Sequence, residues 1–489
     1  MLRRLRSLPG QPVWLAVLCV ACLALRSNWW TTDVFRDMDY YGYVVQGMLR
    51  GGLLYRDIDT DKPALLFYLL MPFIRACGVT SYLGMHLAAS VGVVGTILAT
   101  YWAGTRLGPR VGWLAAVFFA VYSLSPTMES FTPTIEHFML PFTVSALALV
   151  LGRPSPKAAA LAGICLGLAT MVKQSALLLV AAAVFSLAGS PWAIAALLAA
   201  YLGSGLTYVG WLAVHGTFLD FWNGCVLRIM VYNGPPHYHQ IAEQAGSWVK
   251  TQLTLWGAAL PGLALLFRTQ REQGRRMVWW LLVSCLATDG ATFFFAHHFL
   301  LLLPLLCLLA AVVAAALPGR PVLLGLFALS FAWDTGHLVD TMLAGPAAAE
   351  RAAWGDLFVQ GTQLARWLHA HTEDGDTIYN WGVEWELYYA SGRPSATRCI
   401  NIEPLLYWAS KWRADNTRLN RYFDEEQQRI WSEVVTRRPR YIVVTAPFVN
   451  LSNPYFVLPD AMSRYTQEQY VPATVPGITW FYVLRRKDS

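Results

Sequence analysis

The chain has 489 residues, of which 56% are hydrophobic and only 14% charged, with a mean hydropathy of +0.40. A soluble domain is nearer a quarter charged, so a wholly soluble protein is excluded, and the long apolar runs predict several membrane spans. The net charge of +7 belongs to residues 1–340, with 21 Lys+Arg against 14 Asp+Glu, whereas residues 341–489 carry 16 of each.

The basic residues sit in short loops between apolar runs, as positive-inside topology requires. The tail has no basic patch with interleaved aromatics, so nucleic acid is not expected as a partner. The eight cysteines lie mostly inside apolar runs and read as small buried hydrophobes. Cys19 and Cys22 have redox-motif spacing but no His or acidic partner nearby, and no disulfide framework is implied.

The N-terminus carries Arg3, Arg4 and Arg6 ahead of the apolar PVWLAVLCVACLAL. No small-x-small cleavage site follows, so this reads as an uncleaved first span with a cytoplasmic start. A long loop, 29–80, comes next. Within it 63–78 is apolar but short, interrupted by Pro72 and Arg75, which suits a helix at the interface or a half-span. Further spans are predicted at 81–104, 111–127, 138–151, 158–172, 174–189, 191–213, 249–267, 277–296, 298–317 and 321–340, about eleven in all with the first.

Loop charge agrees with that count. The loops 104–112 (Arg106, Arg110), 152–157 (Arg153, Lys157), 268–276 (Arg268, Arg271, Arg275, Arg276) and 318–320 (Arg320) fall on the side of the N-terminus. The opposite side receives 127–137, with no Lys or Arg, and 214–248, with only Arg228. An odd number of spans places the 29–80 loop and the tail outside the cell. The tail alternates a helical pattern at 356–371, a strand at 377–381, a helix at 424–438, and strands at 440–445 and 480–486. The expected architecture is a polytopic α-helical membrane domain, 1–340, followed by a small extracytoplasmic α/β domain, 341–489.

The first loop is the most informative stretch. Asp33, Asp37, Asp39, Asp57, Asp59 and Asp61 lie within 29 residues of one another, interleaved with Tyr40, Tyr41, Tyr43 and Tyr55, and Lys62 precedes Pro63. Carboxylates beside a bilayer are costly and are often functional. A carboxylate here can serve as general base towards an attacking hydroxyl, and a nearby Lys or Arg can hold a phosphate leaving group. An acid can also fix the lysine or bind a divalent cation such as Mg, Mn or Zn.

The run Asp37-x-x-Tyr40-Tyr41-x-Tyr43, then Gly51-Gly52, Tyr55-Arg56-Asp57 and Asp61-Lys62-Pro63 resembles the first external loop of GT-C glycosyltransferases. Among these it is similar to the bacterial relatives of dolichyl-phosphate-mannose protein mannosyltransferases, including lipid A aminoarabinose and galacturonic acid transferases. The resemblance implies transfer of a sugar, with inversion, from a polyprenyl-phosphate donor to an envelope glycolipid, polysaccharide or protein. It implies that Asp37 is the catalytic base, that Lys62 binds the donor phosphate, and that Asp61 positions that lysine or binds a metal. Two positions depart from the pattern. Ala64 stands where a second Pro is usual, and Asp39, where a small residue is usual, is a second candidate base. Arg56 joins the phosphate candidates, and Tyr40, Tyr41 and Asp57 the substrate candidates.

Further candidates lie in the later loops. Glu136 opens a span where relatives carry an acid, and is expected as a second site carboxylate; Glu129 is a weaker candidate. Lys173, after Gly167-Leu-Ala169, either snorkels to the interface or lies near the donor. His298, in His297-His298-Phe299, matches a histidine of the relatives and is the second phosphate candidate. Arg228 and Tyr232 are candidate contacts for donor or acceptor. The tail stretches 376–382 and 388–393 resemble the external domain of such transferases, which implies a role in covering the site and selecting the acceptor.

The rival reading is a transporter or flippase for lipid-linked saccharides. That would place ionisable groups at mid-span and show paired halves with broken helices. Here the acids gather in one loop, and no halves repeat.

Overall fold

The computed structural model describes residues 11–30, 32, 36–125, 128–228, 246–289, 296–344, 346–400, 417–445 and 460–488. Among these, each apolar segment expected as a span contains a helix: α1 (Gln11–Arg26), α4 (Tyr82–Leu107), α5 (Pro109–Tyr122), α6 (Ile135–Leu151), α7 (Pro156–Val172), α8 (Leu179–Ser186), α9 (Pro191–Val214), α10 (Leu253–Thr269), α11 (Arg271–Asp289), α12 (Leu303–Ala316) and α13 (Pro321–Ala344). Four helical stretches are long and apolar enough to cross a membrane by length and composition, at Pro12–Trp29, Tyr82–Leu107, Pro191–Val214 and Pro321–Asp340. The others are shorter. A helix like α5, with 14 residues, rises about 21 Å against a hydrocarbon core of about 30 Å.

Small residues let these helices approach closely, as lipid-embedded helices require in the absence of a hydrophobic drive between them. A Cβ on Gly92 of α4 would sit 2.2 Å from the carbonyl oxygen of His137 on α6. Outward faces are apolar: on α9 Leu202 and Leu206 are 59% and 71% exposed, which suits contact with lipid chains.

The first loop holds two helices. The apolar stretch 63–78 is helical as α3 (Leu65–Cys77), 13 residues with Pro72 inside, too short to span. The acidic stretch, expected as loop, is the helix α2 (Arg36–Leu49). Asp37 and Asp39 lie in its first turn, where the helix dipole favours negative charge. Its glycines mask the helical signal because glycine is a poor helix former. Gly42 is required by packing, since a Cβ there would meet Met85 Cε at 2.1 Å and Tyr389 Cε2 at 2.6 Å. Helix α2 is thereby wedged between α4 and the tail.

The tail begins with α14 (Pro346–Ala370), bent at Gly355, whose φ of 68° suits glycine. The expected division at 340/341 falls in the last turns of α13. A mixed sheet follows in the order β1-β2-β4-β3, with β1 (Ile378–Trp381), β2 (Tyr441–Thr445), β3 (Tyr470–Ala473) and β4 (Phe481–Arg486). Strands β1 and β2 are parallel, in register Ile378↔Tyr441, and the other pairs are antiparallel. Side chains alternate across β2. Ile442 and Val444 join Ile430 and Val434 of α15 (Thr417–Arg437), while Tyr441 and Val443 join Leu364 and Leu368 of α14. This is helix–sheet–helix layering. The sequence reading missed β3 and the helix before it, α16 (Asp460–Gln469).

Tail and first loop are joined by hydrogen bonds from one face of α2. Ser395 N donates to Tyr43 Oη at 2.9 Å, Gln46 Nε2 to the Tyr389 carbonyl at 2.9 Å, and Arg50 Nη2 to the Gly392 carbonyl at 2.7 Å. Overpacking this wedge has a readable outcome. Gly42→Val is expected to lower stability by about 1–3 kcal/mol and to make the tail more sensitive to protease in the detergent-purified protein. An unchanged melting temperature and digestion pattern would contradict the wedge.

Candidate active site

The pitch of α2 sorts its residues. Asp37, Tyr40 and Tyr41 stand at i, i+3 and i+4, on one side of the helix. Asp39 points elsewhere: it is fully buried and lies close enough to Tyr389 of the tail to raise that phenol's pKa together with burial. The two candidate bases are therefore separated, and Asp37 faces Lys62, Asp61, Glu136 and His297.

Asp37 is half-buried. Burial pushes its carboxyl pKa above the ordinary range; His297 and Lys62 pull it down, and Asp61 and Glu136 push it further up. Those four neighbours come from three separate parts of the chain. Tyr41 is buried beside Asp37, Asp61 and Glu136, and burial first, then those charges, keeps its phenol neutral.

The turn 54–64 delivers Lys62. Tyr55 has φ 71°, a left-handed conformation stabilised by what its hydroxyl bonds. That hydroxyl donates to the Lys62 carbonyl at 3.2 Å and lies 2.7 Å from the hydroxyl of Tyr208 on α9. Ala64 N donates to the same Tyr208 oxygen at 3.0 Å. The alanine departure thus supplies an N–H that proline lacks. Tyr40 Oη donates to Thr60 Oγ1 at 2.9 Å and to Asp61 Oδ1 at 3.2 Å. Lys62 Nζ meets Asp61 Oδ2 at 2.8 Å. Burial works against the Lys62 ammonium, but Asp61 and Asp37 outweigh it and raise its pKa.

A second cluster closes on Asp37 from α6, α7 and the turn before α12. Glu136 is 1% exposed and pairs through Oε1 with Lys173, the residue that caps α7. His297 Nδ1 lies 2.8 Å from Glu129 Oε2. Ligand atoms of Glu136, His297 and His298 all lie within 4.8 Å of one another. Two imidazoles and a carboxylate are a zinc-like donor set. Glu136 Oε2 is a buried oxygen with no hydrogen-bond partner among the described residues. These residues therefore fit a divalent cation. Asp61 is not part of that group, because its oxygens accept from Lys62 and Tyr40.

Other expected contacts lie apart. Arg56 and Asp57 pair with each other at 3.0 Å and are 58% and 43% exposed. Asp57 also accepts from Leu53 N at 2.9 Å, so it closes a turn. Arg228 is buried against Asp59, Nη2 to Oδ2 at 2.6 Å, and that pairing outweighs burial and holds the Asp59 carboxyl below the ordinary range. Both partners brace the turn rather than line the cluster. Tyr232 lies outside the described residues. Three contributors escaped the sequence reading as site residues. His297 was passed over for its neighbour, Tyr208 gave no signal, and Gln174, whose Nε2 donates to the Asp61 carbonyl at 2.6 Å, was passed over for Lys173, while Glu129, the weaker candidate, holds His297.

No family model matches the chain, and no curated protein sequence matches it. Solved structures match it across nearly its whole length. ArnT from Cupriavidus metallidurans in the apo state gives a TM-score of 0.63 at 12% identity, covering 97% of this chain and 98% of that one. The same protein bound to undecaprenyl phosphate gives 0.60 at 13% identity, with coverage of 97% and 98%. The Archaeoglobus fulgidus oligosaccharyltransferase tethered with an acceptor peptide gives 0.56 at 14% identity, covering 97% of this chain and 74% of that one. At such identities the likeness speaks for the fold alone: this chain shares the fold of ArnT and of the archaeal oligosaccharyltransferase.

Proposed function

We propose that this chain is an integral-membrane glycosyltransferase that moves a sugar, with inversion, from a polyprenyl-phosphate donor to a hydroxyl of an extracytoplasmic glycolipid, polysaccharide or protein. The observation that carries the proposal is the placing of Asp37, a half-buried carboxylate with raised proton affinity, in one cluster with Lys62, Glu136 and His297. The matched structures support a lipid-linked donor: one holds undecaprenyl phosphate and another, an archaeal oligosaccharyltransferase, holds dolichol phosphate.

In this reading Asp37 takes the proton of the acceptor hydroxyl as its oxygen attacks the anomeric carbon. The bond from that carbon to the phosphate oxygen breaks, and its electron pair leaves with the lipid phosphate. Lys62 steadies the charge arriving on the phosphate, with His298 beside it. Lys173 keeps Glu136 ionised and in place. Tyr40 fixes Asp61, and Asp61 fixes Lys62, so both act through the lysine. A divalent cation held by Glu136, His297 and His298 would add positive charge where the phosphate departs.

The resemblance suggests a bacterial inner-membrane location, and loop charge supports a cytoplasmic N-terminus with both site and tail outside. The tail then covers the site and helps select the acceptor, and its hydrogen bonds to α2 give it a direct mechanical connection to Asp37.

The decisive experiment incubates purified protein with a polyprenyl-phosphate sugar and follows release of polyprenyl phosphate on adding envelope acceptors. Asp37→Asn is expected to lower kcat by about 10²–10⁴-fold, and Lys62→Ala by about 10²–10³-fold. Full activity in both variants would place the site elsewhere.

The pH profile has a defined sign. Asp37 must be ionised to accept a proton, and burial raises its pKa, so activity is lost as pH falls through a value above that of an ordinary aspartate. An acid limb at or below the ordinary carboxylate range would remove Asp37 from the role of base.

Metal binding can be read without turnover. Equilibrium dialysis with zinc is expected to find one ion per chain, and none in Glu136→Gln/His298→Ala. Equal binding in that variant would show that the ion sits elsewhere.

A further inference from the structure

Arg26 ends the first span, is 1% exposed, and lies 97 to 105 residues in sequence from the carbonyls it holds. Its guanidinium grips the turn that follows α5. Nη1 donates to the carbonyls of Ser123 at 3.0 Å and Ser130 at 2.8 Å, and Nη2 to that of Phe131 at 3.3 Å. Buried carbonyls outside regular structure need such partners. The planar fork of arginine can serve three at once, which a lysine ammonium on its flexible stem does less well. Trp29, three residues on, packs its ring 4.4 Å from that of Phe131. From the other end His137 reaches back, Nε2 lying 3.1 Å from the same Ser130 carbonyl.

Between the gripped carbonyls stands Glu129. Its φ is 54°, a left-handed conformation that a non-glycine residue keeps only when its surroundings enforce it. Its own carbonyl accepts from Thr132 N at 3.2 Å, and its carboxylate holds His297. His297 in turn lies beside Glu136 and Asp37.

We infer that Arg26 is a positioning residue: by holding the carbonyls on either side of Glu129 it aims that carboxylate at His297 and sets the imidazole within the site. The consequence for turnover rests on the transferase reading; the geometric claim stands without it.

Two measurements on the full-length protein test the two parts separately. In the first, Glu129→Cys/His297→Cys is treated with a short bis-methanethiosulfonate reagent, and the linked peptide is quantified by mass spectrometry. The linked peptide is expected to form with Arg26 present and to fall several-fold when Arg26→Lys is added; an unchanged yield overturns the inference whether or not the protein transfers sugar. In the second, kcat and donor KM are measured for Arg26→Lys, Glu129→Gln and the double variant. Each single change is expected to lower kcat/KM by about tenfold, and the double variant to lose no more than either alone, because both act through His297. Losses that multiply to about a hundredfold mean independent roles and overturn it. If Arg26→Lys melts well below the wild type, Arg26→Gln, which keeps two N–H donors, takes its place in both assays. Absence of turnover in the wild type would end the transferase reading and leave the cross-linking result to decide the geometry.

Discussion

A charge taken out of water must be met by another, and that constraint organises this molecule. Leaving one partner of a buried pair alone costs about 3–5 kcal/mol. The pairs here join distant segments: Glu136 with Lys173, Asp59 with Arg228, Glu129 with His297. Each pair therefore fixes where two pieces of chain meet. The ends of α6 and α7, the first-loop turn, the segment after α9 and the turn before α12 converge because their charges have nowhere else to go. Asp37 is the exception. Among the described residues no side chain donates a hydrogen bond to its carboxylate, although cations surround it. A carboxylate that is half-buried and left available is what proton transfer from an incoming hydroxyl needs.

Helix α2 turns that arrangement into a connection between two halves of the protein. One side presents Asp37 and Tyr41 to the cluster. The other presents Tyr43, Gln46 and Arg50 to the tail. Tyr40 does both, with its hydroxyl on Asp61 and its ring 5.2 Å from that of Trp385. A movement of the tail would therefore be felt at Asp37 through a rigid element rather than through a flexible linker. The tail's second grip is Arg398, whose carbonyl accepts from Asp59 N at 3.0 Å and whose side chain reaches the Arg56 carbonyl at 3.1 Å.

Much of this was legible in the sequence, for physical reasons. Apolar runs declare helices because hydropathy is summed over many residues, and each expected span contains one. Strands β1, β2 and β4 fall within a residue of their expected positions because aromatic and β-branched runs bounded by turn residues leave few alternatives. Helix α2 was not legible: its glycines and aspartates read as loop, and the packing that demands Gly42 comes from Met85 and Tyr389, far away in sequence. The motif placed Asp37, Asp61 and Lys62 together but could not tell which acids turn inward. Asp57 closes a turn and Asp59 meets Arg228, though both look alike in the sequence. His297 and Glu129 are 168 residues apart, and nothing local marks one as the other's partner.

Lys62 shows how precisely a flexible side chain can be directed when its backbone is held. Pro63 removes one N–H and fixes one dihedral. On one side of it the Lys62 carbonyl accepts from Tyr55; on the other the Ala64 amide donates to Tyr208; and the two tyrosines bond each other. The loop that carries the lysine is thus clamped to α9, whose outer face is apolar and exposed. Thr60 and Asp61 are held separately, by Tyr40 and Gln174. With the backbone fixed from both sides, Asp61 has only to restrain the stem and head of the lysine, and the cost of ordering a long side chain is met mostly before any phosphate arrives. A second proline at position 64 would remove the amide that Tyr208 accepts from, so the alanine and the tyrosine are best understood as one device. Their pairing explains how this chain can carry an alanine two residues after its lysine, where the pattern its first loop resembles has a second proline, and still hold the lysine's backbone in place.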